Sequence, residues 1–299
     1  MTLQPRVVQV RRRTEYDEMM VRHSTRHQAT FFLKQRGRHI DELDHQRRSV
    51  EQARELVAAS IPSDWRRAEV ERSDLQHFSF APGDIVVVVG QDGLVANVAK
   101  YLDGQPVIGI NPDAGRNPGI LVPHKAADAA ALLEMVETGQ ASYEQRTMVM
   151  ASADDGQELV AVNEIYFGHR SHQSARYKLE LSDGTTERHS SSGILAGTGT
   201  GATGWLKSAW RQRNSRLALP EPQSADLCWF AREAWPSAAT GADITQGKIP
   251  GGKQLVLHVE SDELVCFGDG IESDALRIVW GQTLTVSAAP QTLNLLEAT

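Results

Sequence analysis

A chain of 299 residues, 40% hydrophobic and 23% charged, is long enough to bury a full core in one large or two medium domains without disulfide or metal staples. Its net charge of −7 excludes a protein that binds nucleic acid through overall charge, and no apolar run reaches the roughly 20 residues that a membrane-crossing helix needs. The N-terminus lacks the apolar core of a secretory signal, and Cys228 and Cys266 lie in apolar stretches, so the expected setting is the reducing cytoplasm, with neither membrane nor nucleic acid as partner.

Residues 7–10 read as a short strand. From Thr14 the pattern turns helical: Thr14 can cap the first turn, Glu15, Asp17 and Glu18 suit the positive end of the dipole, and Gly37 marks the stop. Arg11-Arg12-Arg13, just before it, reads as a solvated charged face because acidic residues follow at once; a phosphate or nucleic-acid patch is the alternative. A second helix is expected over 41–59, with Leu43, Val50, Ala53, Leu56 and Val57 on or near one face, ended by Ile61-Pro62. His23, His27, His39 and His45 have no Cys or acidic partner at ligand spacing and read as surface or packing residues. Residues 65–70 make a further expected strand.

The central stretch runs from Asp84 to Gly93. Its unbroken β-branched run, residues 85–89, fits a parallel strand covered on both faces, since a strand with one wet face would alternate. It stops at Gly90-Gln91-Asp92-Gly93, where glycines let a phosphate approach backbone N–H groups and Asp92 stands where a catalytic carboxylate would reach it; a plain turn with Asp92 as a helix cap is the alternative. Helical spacing follows over 94–102, then a buried strand over 106–111. Strand, helix, strand makes a βαβ unit, and Asn111 at the tip of the second strand is expected beside Asp92. Ligands of open α/β sheets bind at such strand ends.

A last helix is expected over 126–137, closed by Gly139, after which the period changes. Short runs at 145–150, 159–167, 175–181 and 185–190, with Asp183-Gly184 as a hairpin turn, predict an antiparallel β region. The expected domains are therefore an α/β nucleotide-binding domain over 1–142, with 284–299 returning to it, and a β-rich dinucleotide-binding domain over 143–283.

Two constellations interrupt the β region. Asn163-Glu164 falls inside the apolar run 159–167, where neighbouring side chains point to opposite faces and one would be buried and in need of a partner; polar residues of an edge strand are the alternative. Residues 193–205 lead from a short strand through Gly197-Thr-Gly-Thr-Gly201 into a helix expected from Thr203. Gly199, Gly201 and Gly204 match a G-x-G-x-x-G dinucleotide fingerprint, but an antiparallel setting counts against that unit, and Thr198, Thr200 and Thr203 better suit a loop whose hydroxyls and N–H groups bind a nucleotide. Asp269-Gly270, between two alternating apolar runs, reads as a hairpin turn, with a second catalytic acid as the alternative.

The order Gly-x-Asp-Gly after a buried strand, Gly109-Ile-Asn111, Asn163-Glu164, Ser191-Ser-Gly193, Gly197-Thr-Gly-Thr-Gly201 and Phe267-Gly-Asp-Gly270 resembles the NAD kinases. The mitochondrial-type branch is the closer likeness, through Pro106-Val-Ile-Gly-Ile-Asn-Pro-Asp113 and the stretch from Ser191 to Trp205. The resemblance implies the NAD kinase/diacylglycerol kinase-like arrangement of an N-terminal parallel-sheet α/β domain followed by a β-rich antiparallel one. It also implies phosphorylation of the 2′-hydroxyl of NAD's adenosine ribose by ATP (or polyphosphate), with Mg²⁺ carried on the nucleotide phosphates and no direct protein ligand. Carried over by position, Asp92 is the catalytic base, and Gly90, Gln91, Gly93 and Asn111 belong to the phosphate site. Asn163, Glu164, Ser192, Thr198, Gly199, Thr200, Gly201, Thr203, Trp205 and Ser208 line the NAD site. A homodimer is implied as well. The family's loop is usually Gly-Gly-Asp-Gly-Thr; Gln91 and Leu94 depart from it, and a side chain at 91 would be strained if that position needs positive φ. The alternatives are a lipid or other small-molecule kinase of the same superfamily, a nucleotide-binding protein without catalysis, and a Rossmann dehydrogenase.

Overall fold

The computed structural model of the protein describes residues 4–116 and 118–298. The chain divides into two compact units, Met1–Glu144 with Asn294–Thr299, and Gln145–Leu293.

In the first unit, strands β1 (Arg6–Arg11), β2 (Arg66–Glu71), β3 (Asp84–Val89) and β4 (Pro106–Ile110) run parallel in the order β2-β1-β3-β4. Helices α1 (Glu15–His23), α2 (Arg26–Lys34), α3 (Ile40–Ser60), α4 (Asp92–Ala99) and α5 (Ala129–Glu137) connect or cover them. All of β3 is buried, as its run of branched apolar residues requires. Ile85, Val87 and Val89 share a core with Ala53 and Val57 of α3 and Leu132 and Leu133 of α5. At the strand's entry the buried Asp84 is satisfied by Arg6, whose Nε donates to Oδ1 at 2.8 Å.

The helix expected from Thr14 to Gly37 is two helices. Ser24 takes a left-handed φ of 59° and ends α1, and Thr25 accepts the N–H of Gln28 at 3.3 Å to start α2. A Ser-Thr pair offers the backbone local side-chain bonds that compete with a continuing helix.

The second unit carries β5 (Tyr143–Ala153), β6 (Glu158–Ala161), β7 (Glu164–Gly168), β8 (Ala175–Glu180), β9 (Thr186–Ser191), β10 (Gly193–Gly197), β11 (Leu227–Arg232), β12 (Gln246–Ile249), β13 (Gln254–Val259), β14 (Glu263–Gly268), β15 (Ile271–Val279) and β16 (Thr283–Leu296), with one helix, α6 (Trp205–Gln212). An antiparallel sheet in the order β12-β11-β10-β7-β14-β15 stands apart from the ladder β16-β13-β8-β9, also antiparallel within this unit. Phe167 and Trp229 from the first and Tyr177 and Leu257 from the second meet in one core. Leu206 and Ala209 of α6 pack on Leu195, Cys228 and Phe230. The last residues of β16 pair parallel with β4, Asn294 opposite Pro106 and Leu295 opposite Val107. A parallel-stranded part with helices thus precedes an antiparallel β-rich part.

The run 159–167 is not one strand. It breaks at Val162 and Asn163 because the Asp269 carboxylate accepts both of their N–H groups at 2.8 Å and withdraws them from the ladder. Asn163 therefore lies between strands and Glu164 opens β7, so the opposite-faces argument for the pair does not apply. Asp269 itself holds the hairpin between β14 and β15, with φ of 51° followed by 69° at Gly270. No helix among the described residues is long and apolar enough to cross a membrane.

Candidate functional site

Parallel strands deliver their C-terminal ends to one edge of the first unit's sheet. With Val10 opposite Val88 and Val89 opposite Ile110, the residues that follow β1, β3 and β4 emerge together. They line a cleft of about 420 Å³ that includes Arg12, Arg13, Gly90, Gln91, Gly93, Asn111 and Asp113. Gln91 is the N-cap of α4, with φ −106° and ψ 166°, so it carries no left-handed strain and its exposed side chain sits in the cleft. A Cβ at Gly93 would meet nothing within 4 Å; its missing side chain leaves the cleft open to a ligand. No side chain caps α4.

In the sequence these arginines read as a solvated face, with a phosphate patch as the alternative. Arg13 is paired with Glu71 at 3.0 Å and Glu15 with Arg38 at 2.5 Å, whereas Arg12 is exposed and makes no ion pair among the described residues. Burial, and then the nearby Arg12, push the Arg72 guanidinium down from its ordinary range. Glu15, Glu18 and Asp113 also line the cleft, and the exposed Arg12 is the cation there that can turn to an anion. The signal available in the sequence was that polar residues directly after a parallel strand reach the ligand-binding edge of the sheet.

Asp92, the expected base, is placed differently from its neighbours. It is the first residue of α4 and is not among the residues lining the cleft. Its Oδ2 accepts the N–H of Ile120 at 3.0 Å and its Oδ1 that of Leu121 at 2.9 Å. Asn111 does line the cleft, and its Oδ1 accepts the N–H of Asp113 at 2.9 Å.

In the second unit the expected loop residues fall into two groups. Thr198, Gly199, Thr200 and Gly201 are buried framework. The Thr198 hydroxyl donates to the Val162 carbonyl at 2.5 Å and accepts from Thr200 N at 3.1 Å, and a Cβ at Gly201 or Gly197 would collide with the Asn163 carbonyl. These glycines let two backbones touch. The fingerprint match is therefore not a parallel βαβ unit, since β10 pairs antiparallel with both β7 and β11. Ser192, Thr203, Trp205 and Ser208 are exposed, and the expected helix begins at Trp205, after a short 3₁₀ turn over Gly201–Thr203.

Trp205, an expected site residue, belongs to an aromatic platform whose other members, Tyr166 and Phe267, were not expected. Tyr166 stacks on Trp205 with centroids 5.9 Å apart and planes 19° apart, and meets Phe267 at 5.1 Å. The Tyr166 hydroxyl donates to the Ser192 carbonyl at 2.7 Å, and the Arg232 guanidinium lies 5.4 Å from the Trp205 ring centre. Glu164 and Tyr166 stand two residues apart on β7 and so share a face. Burial, with Asp269 nearby, pushes the Glu164 carboxyl up to about 8. Neither the Glu164 carboxyl nor the Asn163 side-chain amide has a hydrogen-bond partner among the described residues, although the Asn163 backbone N–H donates to Asp269. Half-buried polar groups left open beside partly exposed aromatic rings are the usual equipment of a ligand site.

No protein-family model matches the chain. The NAD kinase of Chlorobaculum tepidum is 25% identical to it over 229 residues, covering 75% of this chain and 74% of that protein. The NAD kinase of Clostridium kluyveri is 27% identical over 133 residues, 42% of this chain and 46% of that protein. Similarity to an NAD kinase thus extends over three quarters of the chain, and it supports the NAD kinase family.

Proposed function

We propose that the protein is an NAD kinase, moving the terminal phosphoryl group of ATP to the 2′-hydroxyl of the adenosine ribose of NAD, and that it belongs to the mitochondrial-type branch with the NAD kinase/diacylglycerol kinase-like fold. The observation that carries the reading is the cleft at the C-terminal edge of the parallel sheet, where Gly90, Gln91, Gly93 and Asn111 meet Arg12. Phosphoryl transfer asks for positioning and charge neutralisation rather than covalent chemistry. Backbone N–H groups at the uncapped start of α4 and the Arg12 guanidinium supply donors for the phosphates of the donor nucleotide. Asp92 is the carboxylate for the hydroxyl proton. Asn163 and Glu164 offer hydrogen bonds to the ribose and adenine part, and Trp205 and Tyr166 a surface on which a ring can stack. Mg²⁺ is expected on the phosphates, where it neutralises charge. A cytoplasmic homodimer completes the proposal; the burial of Cys228 and Cys266 suits a reducing compartment.

The test is incubation of the pure protein with NAD, Mg²⁺ and either ATP or polyphosphate, with NADP detected by an NADP-specific dehydrogenase. NADP is expected, and Asp92→Asn is expected to lower kcat by at least about 10²-fold while sparing NAD binding. No NADP from either donor overturns the kinase. A second reading, a nucleotide-binding protein without catalysis, is favoured by the engagement of both Asp92 oxygens away from the cleft; NAD binding without turnover is its mark.

A further inference from the structure

Asp92 is held by a segment far along the chain. Successive N–H groups, of Ile120 and Leu121, reach the two oxygens of one carboxylate, which fixes the plane of the group. The segment is itself anchored on the sheet. Leu121 is buried, and its carbonyl lies against Gly109 of β4 where a Cβ would collide. His124 N donates to the Gly109 carbonyl at 3.2 Å and Asn111 N to the His124 carbonyl at 2.8 Å. Carboxylate, clamp and phosphate turn are thus referred to the same two strands, β3 and β4.

One residue keeps the clamp open. A Cβ at Gly119 would stand 2.5 Å from Asp92 Oδ1 and would also collide with Val122 Cγ2. The backbone at Gly119 is outside the left-handed region, so space and not φ excludes a side chain. Val122 is buried and cannot yield easily, which leaves the half-buried Asp92 side chain as the group that gives way.

We infer that Gly119 is a positioning residue for the reaction: it has no atoms in the chemistry, but its missing side chain lets the Ile120 and Leu121 amides set the orientation of the Asp92 carboxylate. The inference rests on the kinase reading. Misplacing a reacting group by about 1 Å can cost roughly 10²-fold in rate, and a carboxylate turned about its Cβ–Cγ bond moves its oxygens by that much.

Two measurements on the full-length protein separate the clamp from the chemistry. Hydrogen exchange of a peptide covering 118–123 is expected to be at least about tenfold faster in both Gly119→Ala and Asp92→Asn than in wild type, with 106–110 unchanged; unaltered exchange in both variants removes the clamp. In turnover, Gly119→Ala is expected to lose about 10- to 100-fold in kcat with KM for ATP and NAD within threefold of wild type. The double variant is expected to be no worse than Asp92→Asn alone, because the glycine acts only through that carboxylate. Losses that multiply in the double variant, or full kcat in Gly119→Ala, overturn the positioning role. Should Gly119→Ala fail to fold, the exchange rate in Asp92→Asn still decides whether the clamp exists. Absence of NADP formation by wild type sinks the kinase, and the catalytic role of Gly119 with it, whereas the exchange result stands on its own.

Discussion

Glu164 is a carboxyl that the fold holds protonated. It titrates at about 8 in the folded chain against 4.5 for the ordinary group. Above pH 4.5 the unfolded chain has released this proton while the folded chain keeps it, so stability falls as pH rises from 4.5 to about 8 and is then level in this group. Glu164→Gln removes the titration and keeps the shape. Its Tm at pH 8.5 is expected to exceed wild type by several degrees, for a gain of about 2 kcal/mol, with the difference closing by pH 4.5. Equal Tm values at both pH values in thermal scans would mean that the carboxylate is ionised at no cost. Neither this shift nor the clamp on Asp92 was legible in the sequence: the first comes from burial and then from Asp269, the second from the Ile120 and Leu121 amides, and only the tertiary fold supplies either. Gln91 went the other way. Its departure from glycine raised the question of strain, and its extended φ answers it.

The elements show which patterns a sequence carries by itself. The β3 run, with every residue apolar after Asp84, specified a covered parallel strand because no alternation was there to offer a wet face. The Asp269-Gly270 hairpin followed from local turn chemistry in the same way, whereas α4 begins at Asp92, two residues before the helical spacing read from Leu94. What stayed hidden was the job of the glycines in residues 197–201. They read as a ligand loop, yet Gly197 and Gly201 close on the Asn163 carbonyl and Gly199 on the backbone of Glu221. The turn is a buckle between β7 and β10, and it fixes where Asn163 and Glu164 stand. Gly201→Ala forces a methyl against backbone that cannot rotate away. A loss of about 2–4 kcal/mol in urea unfolding is expected, with weaker NAD binding in whatever folds; a variant as stable as wild type would show that the buckle has slack.

At the level of the whole chain, the two ends of the sequence meet in the first unit. Leu295 and Leu296 are buried there, His124 Nε2 lies 3.2 Å from the Leu296 carbonyl, and Asn294 donates to the Gly104 carbonyl at 2.8 Å. A chain stopped after Leu293 loses two buried leucines and one strand of the parallel sheet. It is expected to be less stable by about 4 kcal/mol or more, read by denaturant titration; unchanged stability would make the strand end an ornament. The asparagine and its carbonyl partner are 190 residues apart along the chain. At about 5–20 residues per second, a ribosome takes roughly 10–40 s to cover such a distance. Throughout that interval β4 waits with an open hydrogen-bonding edge, so the nascent polypeptide is exposed to mispairing there until Asn294 and Leu295 have been made.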